Sequence, residues 1–107
     1  MIVRVWNGRA SLSNQLAYPA HFRSKVLPLL HSIDGFLGAS LLRREKAEGI
    51  EFLVLTRWAS MDAVRSFAGS DIGRAIVEPE AKAALDSFDA EVQHYDVVEE
   101  VPALNLS

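Results

Sequence analysis

Cysteine is absent from this chain of 107 residues, which excludes disulfides, thiolate metal sites and thiol nucleophiles. Basic residues are also scarce, since 11 lysines and arginines against 14 acidic residues leave a net charge of -3. That balance gives no electrostatic support for a nucleic-acid partner. No apolar run approaches the ~20 residues that a membrane-spanning helix needs, and the first residues lack the pattern of a signal peptide. We therefore expect a cytoplasmic protein with no nucleic-acid or membrane partner.

The motifs that usually hold cofactors are missing as well. The chain contains no glycine-rich phosphate loop and no Ser/His/Asp arrangement, and its 3 histidines share no metal-binding spacing. A flavin or nicotinamide domain does not fit in this length. No cofactor and no metal are therefore predicted.

What the chain does contain is a predicted strand, Ile50–Trp58, with apolar residues on both faces. Phe52 and Val54 point one way together with the final tryptophan, and Leu53 and Leu55 point the other way. The helices of so short a chain can cover only one of these faces. The other face is expected to pack against a second copy of the same sheet in a homodimer.

The patterns along the chain predict a single domain of residues 1–98 and a tail of residues 99–107. The predicted elements are a strand Ile2–Trp6, a helix capped by Ser11 or Ser13 and ending near Pro28 with Leu29–Ser32 as a further turn, a strand Phe36–Glu45, the strand Ile50–Trp58, a helix between Ser60 and Gly69, a helix Glu80–Phe88 and a strand Val92–Val98. This β-α-β-β-α-β order is typical of the α+β, ferredoxin-like split βαβ fold with an antiparallel sheet. The first and third strands are predicted to be parallel neighbours at its centre. In the tail, Val101, Leu104 and Leu106 are candidates for docking on a partner subunit.

Many residues of the chain, in this order, resemble those of one protein family. The matching positions are Trp6, Gly8, Tyr18, His21, Phe22, Leu27, Pro28, Gly35, Phe36, Gly38, Leu42, Arg43, Arg44, Phe52, Val54, Thr56, Trp58, Ser60, Ala63, Phe67, Ala68, Gly69, Asp71, Ala75, Pro79, Glu80, Ala81, His94, Tyr95, Asp96 and Val97. On these residues the chain resembles the antibiotic biosynthesis monooxygenase domain family of the dimeric α+β barrel superfamily. The resemblance implies a dimeric α+β barrel, and a cofactor-independent monooxygenase of small electron-rich aromatic or quinol-like compounds. The alternatives are a non-catalytic small-molecule or heme-binding dimeric module, and an interaction module in which the barrel is structural.

Heme-degrading members of that family use an asparagine, a tryptophan and a histidine. Asn7 matches the asparagine, but Phe67 stands at the position of the tryptophan and Val77 at that of the histidine. Only a histidine from elsewhere, such as His21 or His94, would supply an axial ligand. The resemblance therefore does not predict heme degradation by that mechanism.

Asn7 and Trp58 end two predicted central strands, so both are expected to open toward the same end of the cleft between sheet and helices. A buried amide there would act in catalysis by orienting a substrate carbonyl or stabilising an enolate-like charge. The alternative for Asn7 is that it forms a turn with Gly8 and bonds to its own backbone. Trp58 is predicted to form a wall of the substrate site, together with Phe67 and Tyr18. The alternative for Trp58 is a core residue whose N–H finds a local acceptor.

His94 is the histidine predicted to act in catalysis, because it falls inside a strand and in the His-Tyr pair of the family. It would accept a proton from a phenolic substrate near neutral pH, and the alternative is a hydrogen-bonded histidine at an edge or interface. His21 is predicted to contact the substrate from the first helix. Arg4 lies between apolar neighbours in a central strand, so its charge is expected to meet a carboxylate of the partner subunit or a polar network. Anion binding is a further alternative for Arg4.

Overall fold

The computed structural model describes residues 1–104, which form one antiparallel sheet with helices on one side. The strands are β1 (Ile2–Ala10), β2 (Phe36–Lys46), β3 (Gly49–Trp58), β4 (Ser87–Phe88) and β5 (Gln93–Asp96). The helices are α1 (Ala17–His21), α2 (Leu27–His31), α3 (Met61–Ala68) and α4 (Pro79–Ala84), with a 3-10 turn at Leu12–Asn14 and a π-helical turn at Phe22–Val26. The predicted α+β class and ferredoxin-like arrangement are confirmed.

The sheet has the order β2-β3-β1-β4, and β5 also pairs with β1. β1 and β3 are central neighbours, as predicted, but they run antiparallel. The prediction that they are parallel is therefore wrong. In the antiparallel register Asn7 pairs with Leu53, whereas Trp58 pairs with Ile2, so Asn7 and Trp58 do not open toward the same end of the sheet.

Side chains of β3 alternate between a covered face and an open face of the sheet. Ile50, Phe52, Val54, Thr56 and Trp58 are all buried, while the residues between them are only half-buried. This period of two places the buried set against the helices. The prediction of a strand with apolar residues on both faces is confirmed, and the open face has no covering element among residues 1–104.

The first helical region is less regular than predicted. Neither Ser11 nor the residues before α1 provide a side-chain cap, so the predicted cap is wrong. The further turn predicted after Pro28 is present as the end of α2, and Pro28 lies at the start of that helix, where proline is tolerated. The widened π-helical turn immediately before it absorbs the change in hydrogen bonding.

The helix α3 begins and ends as predicted. The hydroxyl of Ser60 accepts a hydrogen bond from the backbone N–H of Ala63 at 3.2 Å, which satisfies one of the free donors of the first turn. Gly69 ends the helix with φ 79°, a conformation that other residues rarely adopt.

The last third of the chain departs furthest from the prediction. The helix predicted to reach Phe88 stops at Ala84, because Leu85 is extended and Ser87–Phe88 pair with β1 as an additional strand. The final strand is also shorter than predicted, Gln93–Asp96. Val101 and Leu104 are exposed, and the predicted docking residue Leu106 lies outside the described residues. No helix within residues 1–104 is long and apolar enough to cross a membrane.

Candidate functional site

A cavity lies between the covered face of the sheet and the helical layer. Its volume is about 70 Å³. β1 and β3 supply its floor, α1 supplies one wall, and the irregular segment before α4 supplies the rim. The lining residues are Arg4, Trp6, Tyr18, His21, Val26, Leu30, Val54, Thr56, Phe67, Ala75, Ile76, Glu78, Ala81 and Val92.

Aromatic rings form much of the wall of this cavity. The ring centroids of Trp6 and Tyr18 lie 5.8 Å apart, and Tyr18 is a further 5.6 Å from Phe52. The indole N–H of Trp6 donates to the backbone oxygen of Asp89 at 2.7 Å, which fixes the orientation of the ring. Phe67 contributes a third lining ring from α3. Tilted rings at these distances offer flat apolar faces to a ligand.

The structure brings three of the predicted ligand-contacting residues together, since Tyr18, His21 and Phe67 all line the cavity. Trp58, the fourth, is completely buried behind Phe67, with the two rings stacked at 5.5 Å. Its indole N–H donates to the hydroxyl of Thr56 at 2.8 Å. Trp58 therefore matches the alternative reading of a core residue with a local acceptor, and it supports the cavity wall from behind.

Asn7 lies on the open face of the sheet rather than in the cavity. Its neighbour Trp6 lines the cavity, and a side chain at Gly8 would meet Leu85 on the covered side, so Asn7 between them points the other way. Its placement in the cleft was therefore predicted wrongly. Its side-chain oxygen Oδ1 is buried without a hydrogen-bond partner among residues 1–104.

His94 lies in β5 directly opposite Arg4 in β1, just behind the cavity lining. Its Nε2 is 3.0 Å from the guanidinium Nη1 of Arg4. Burial, and secondarily the positive charge of Arg4, lower the pKa of His94 below its ordinary value. The ring is therefore neutral near pH 7, and its Nε2 accepts the hydrogen bond from the guanidinium.

Two further titratable groups belong to the cavity wall. His21 is buried, and its Nδ1 lies 3.6 Å from the carboxylate Oε2 of Glu80 at the start of α4. A carboxylate this close can orient the imidazole ring. Burial, and secondarily the charge of Glu78, raise the pKa of Tyr18, so its phenol stays protonated.

Arg4 is the residue of this site whose role the sequence left most open. It is only 5% exposed, and its guanidinium meets a polar network of backbone oxygens and His94 rather than a carboxylate. The alternative of a polar network is therefore confirmed. The signal in the sequence was an arginine between apolar neighbours, but the network partners lie 68, 70 and 90 residues further along the chain.

The residues of the site do not fit a heme held in the way that the family resemblance implies for heme-degrading members. Val77 lies at the position where the resemblance implies a histidine, and it is partly buried against the core. The cavity of about 70 Å³ is also far below the ~300–1,000 Å³ typical of pockets for larger ligands. His21 is the one histidine that lines it. No cluster of histidine and acidic side chains within residues 1–104 has the arrangement of a metal site.

Comparison with known proteins finds similar proteins described as monooxygenases and similar proteins described as heme-degrading. Residues 2–86 match the family model described as antibiotic biosynthesis monooxygenase. Curated protein sequences give no match.

Among solved structures, the chain is similar to a candidate antibiotic biosynthesis monooxygenase from Bacillus cereus. That match has 17% identity, covers 97% of each chain and has a TM-score of 0.69. It is also similar to SnoaB, a cofactor-independent oxygenase from Streptomyces nogalater, with 14% identity over 95% of this chain and 97% of that chain and a TM-score of 0.62. A third similar structure is the heme-degrading protein Rv3592 from Mycobacterium tuberculosis, with 25% identity over 95% and 100% of the two chains and a TM-score of 0.58.

Proposed function

Because the chain belongs to the antibiotic biosynthesis monooxygenase family, we propose that it is a cofactor-independent monooxygenase of small electron-rich aromatic or quinol-like compounds. The observation that carries the proposal is the cavity itself, which combines three aromatic rings with the buried histidine His21. The fold shared with the oxygenase SnoaB supports it further.

In the proposed reaction, His21 removes a proton from the bound substrate and the Glu80 carboxylate holds the ring in position. The resulting carbanion or phenolate is electron-rich enough to reduce oxygen directly. For an anthrone, the methylene carbon becomes a carbonyl, one atom of O₂ stays in the product, and the other leaves as water with the two methylene hydrogens. The substrate supplies all the electrons, so no external reductant is needed. The apolar walls exclude water from the reactive anion.

The catalytic roles predicted for Asn7 and His94 stay predictions. His94 contacts Arg4 rather than the cavity, and a second positive charge beside the guanidinium is unfavourable. Asn7 lies across the sheet. We therefore propose His21 as the base, with His94 acting through Arg4.

A homodimer is part of the proposal. The open face of the sheet carries Leu42 and Tyr95, which are 45% and 58% exposed, and an apolar face of this kind normally meets another protein surface. The unpaired Oδ1 of Asn7 lies on the same face, where a partner subunit would supply a donor. A cytoplasmic location is proposed from the sequence alone.

Oxygen consumption with a panel of anthrones and quinols tests the activity. We expect uptake with the wild type and a loss of roughly 10²- to 10⁴-fold in His21→Ala, the usual contribution of a general base. The matched control is His31→Ala, since His31 is exposed at the end of α2 and lies outside the cavity. Asn7→Ala and His94→Ala measure the remaining predicted roles. Absence of uptake across the panel, or equal uptake in His21→Ala, would refute the proposal.

The second candidate function is a non-catalytic small-molecule or heme-binding module. The similarity to the heme-degrading protein Rv3592 favours it, and His21 is the candidate ligand in the cavity. A heme titration distinguishes the two, because binding through His21 would shift the Soret band and the shift would disappear in His21→Ala. A Soret band that does not move removes heme from consideration.

A further inference from the structure

The guanidinium of Arg4 is a buried positive charge without an anionic partner. Its Nη1 donates to the backbone oxygen of Ile72 at 2.7 Å and to Nε2 of His94 at 3.0 Å, and its Nη2 donates to the backbone oxygen of Arg74 at 3.2 Å. All three acceptors are neutral. None of the ion pairs within residues 1–104 includes Arg4.

Burial without a counter-ion is unfavourable for a cation. Desolvation lowers the pKa of Arg4 to about 10, and no neighbouring carboxylate offsets the effect. The residue nevertheless stays charged at neutral pH. Glu78 also lines the cavity, but the group whose titration it perturbs is Tyr18. The part of the wall formed by Arg4 is therefore cationic, and within residues 1–104 Arg4 forms no ion pair with Glu78.

The position of Arg4 makes this charge available to a ligand rather than to a second subunit. Arg4 lies on the covered face of β1 and lines the cavity, whereas the proposed dimer forms through the open face. A guanidinium has five N–H donors, and the hydrogen bonds within the described part of the chain use three of them. Its carbon Cζ lies 5.7 Å from the centroid of Phe67, so the charge is adjacent to an aromatic wall.

We propose that the cavity selects planar aromatic compounds that carry an ionised oxygen, and that Arg4 binds this oxygen. The aromatic body of the ligand lies against Trp6, Tyr18 and Phe67, and the anionic oxygen replaces the missing counter-ion. Arg4 is therefore the specificity-determining residue of the cavity. This inference rests on the cavity being the ligand site of the proposed function and narrows its substrates to aromatic anions, with no commitment on oxygen chemistry.

The cavity must widen before it can admit an aromatic ligand of any size. A cavity of ~150 Å³ accepts benzene in another protein, so the 70 Å³ here must widen for even one ring. Ile76, which is exposed at the rim, lies in a segment without helix or strand and is the side chain that a ligand would displace. Benzoate and its neutral, nearly isosteric amide are therefore suitable probes.

Calorimetric titration of the full chain with benzoate and with benzamide, supported by ligand-observed NMR, tests the inference. We expect benzoate to bind roughly 10- to 100-fold more tightly than benzamide, the ratio that a charge-assisted hydrogen bond gives. The preference should disappear in Arg4→Met and persist in part in Arg4→Lys. The matched control is Arg57→Met, because Arg57 is also a strand arginine but its Nη1 donates to Ser40 on the open face.

A benzoate preference that survives in Arg4→Met, or that Arg57→Met removes equally, would overturn the inference. So would equal binding of the two probes, or binding of neither at millimolar concentration. If Arg4→Met does not fold, the ratio in the wild type and in Arg4→Lys decides. A purely structural role of Arg4 would lower stability without changing this ratio. Benzoate selectivity without any oxygen uptake would support this inference and refute the proposed oxygenase activity. Oxygen uptake with neutral substrates alone would support the oxygenase activity and refute this inference.

Discussion

The proposed dimer can be tested at Leu42, which lies on the open face of β2 opposite Leu53. Its side chain is 45% exposed in the single chain, and a second sheet packed on this face would bury that surface. Leu42→Ala removes three carbon groups worth about 0.8 kcal/mol each when fully buried. Scaled by the exposed fraction, the loss is about 1 kcal/mol per subunit. Two-fold symmetry doubles it to about 2 kcal/mol, which raises the dissociation constant about 30-fold.

Sedimentation velocity over a concentration series measures this dissociation constant. Leu29 provides the matched control, because it is also a leucine with 45% exposure but lies in α2 on the helical side. Leu29→Ala should leave the dissociation constant unchanged. A wild-type chain that sediments as a monomer at micromolar concentration would refute the dimer. An equal shift in both variants would refute the assignment of the interface to the open face.

The remaining predictions concern one helix cap and one histidine. Ser60→Ala should destabilise the fold by about 1 kcal/mol in urea unfolding, because the N–H of Ala63 loses its acceptor. The control Ser66→Ala, within the same helix, should lower the free energy of unfolding by less. An equal loss in the two variants would contradict the role of Ser60 as the helix cap. Stability should also fall as the pH drops below about 6.5, the ordinary pKa of histidine, since unfolded His94 then binds a proton that the folded chain, with its lowered pKa, does not. His94→Gln should flatten this slope in urea unfolding between pH 5 and 8, and an unchanged slope would assign it to other groups.

Local features of the fold were predictable because they depend on residues close together in the sequence. The alternation in β3 follows from the period of two in Ile50–Trp58, and it is reproduced residue by residue in the burial pattern. The start and end of α3 follow from Ser60 and Gly69, whose chemistry acts within one helical turn. Tyr18, His21 and Phe67 were predicted to contact a ligand, which stays a prediction, and all three line the cavity.

The parts that could not be predicted depend on pairing between distant segments. The direction of β3 relative to β1 decides whether Asn7 and Trp58 lie at the same end of the sheet, and nothing local to either strand specifies that direction. The end of α4 could not be predicted either, because Ala84 and Leu85 are compatible with a longer helix. The structure instead forms a backbone hydrogen bond from Asp86 to Arg9 in β1 at 2.7 Å. Sheet pairing therefore overrides helix propensity at this position.

The register of β1 connects the two proposals made for this protein. Arg4 and Trp6 face the cavity, Asn7 faces the open side, and a shift of one residue would exchange these roles. Gly8 helps to specify the register, because a Cβ there would lie 2.9 Å from a methyl carbon of Leu85 on the covered face. The same strand thus presents a cation to a ligand on one side and an unpaired amide to a partner on the other. Because neither surface shares a side chain with the other, ligand selectivity and dimerisation are separable properties of this chain.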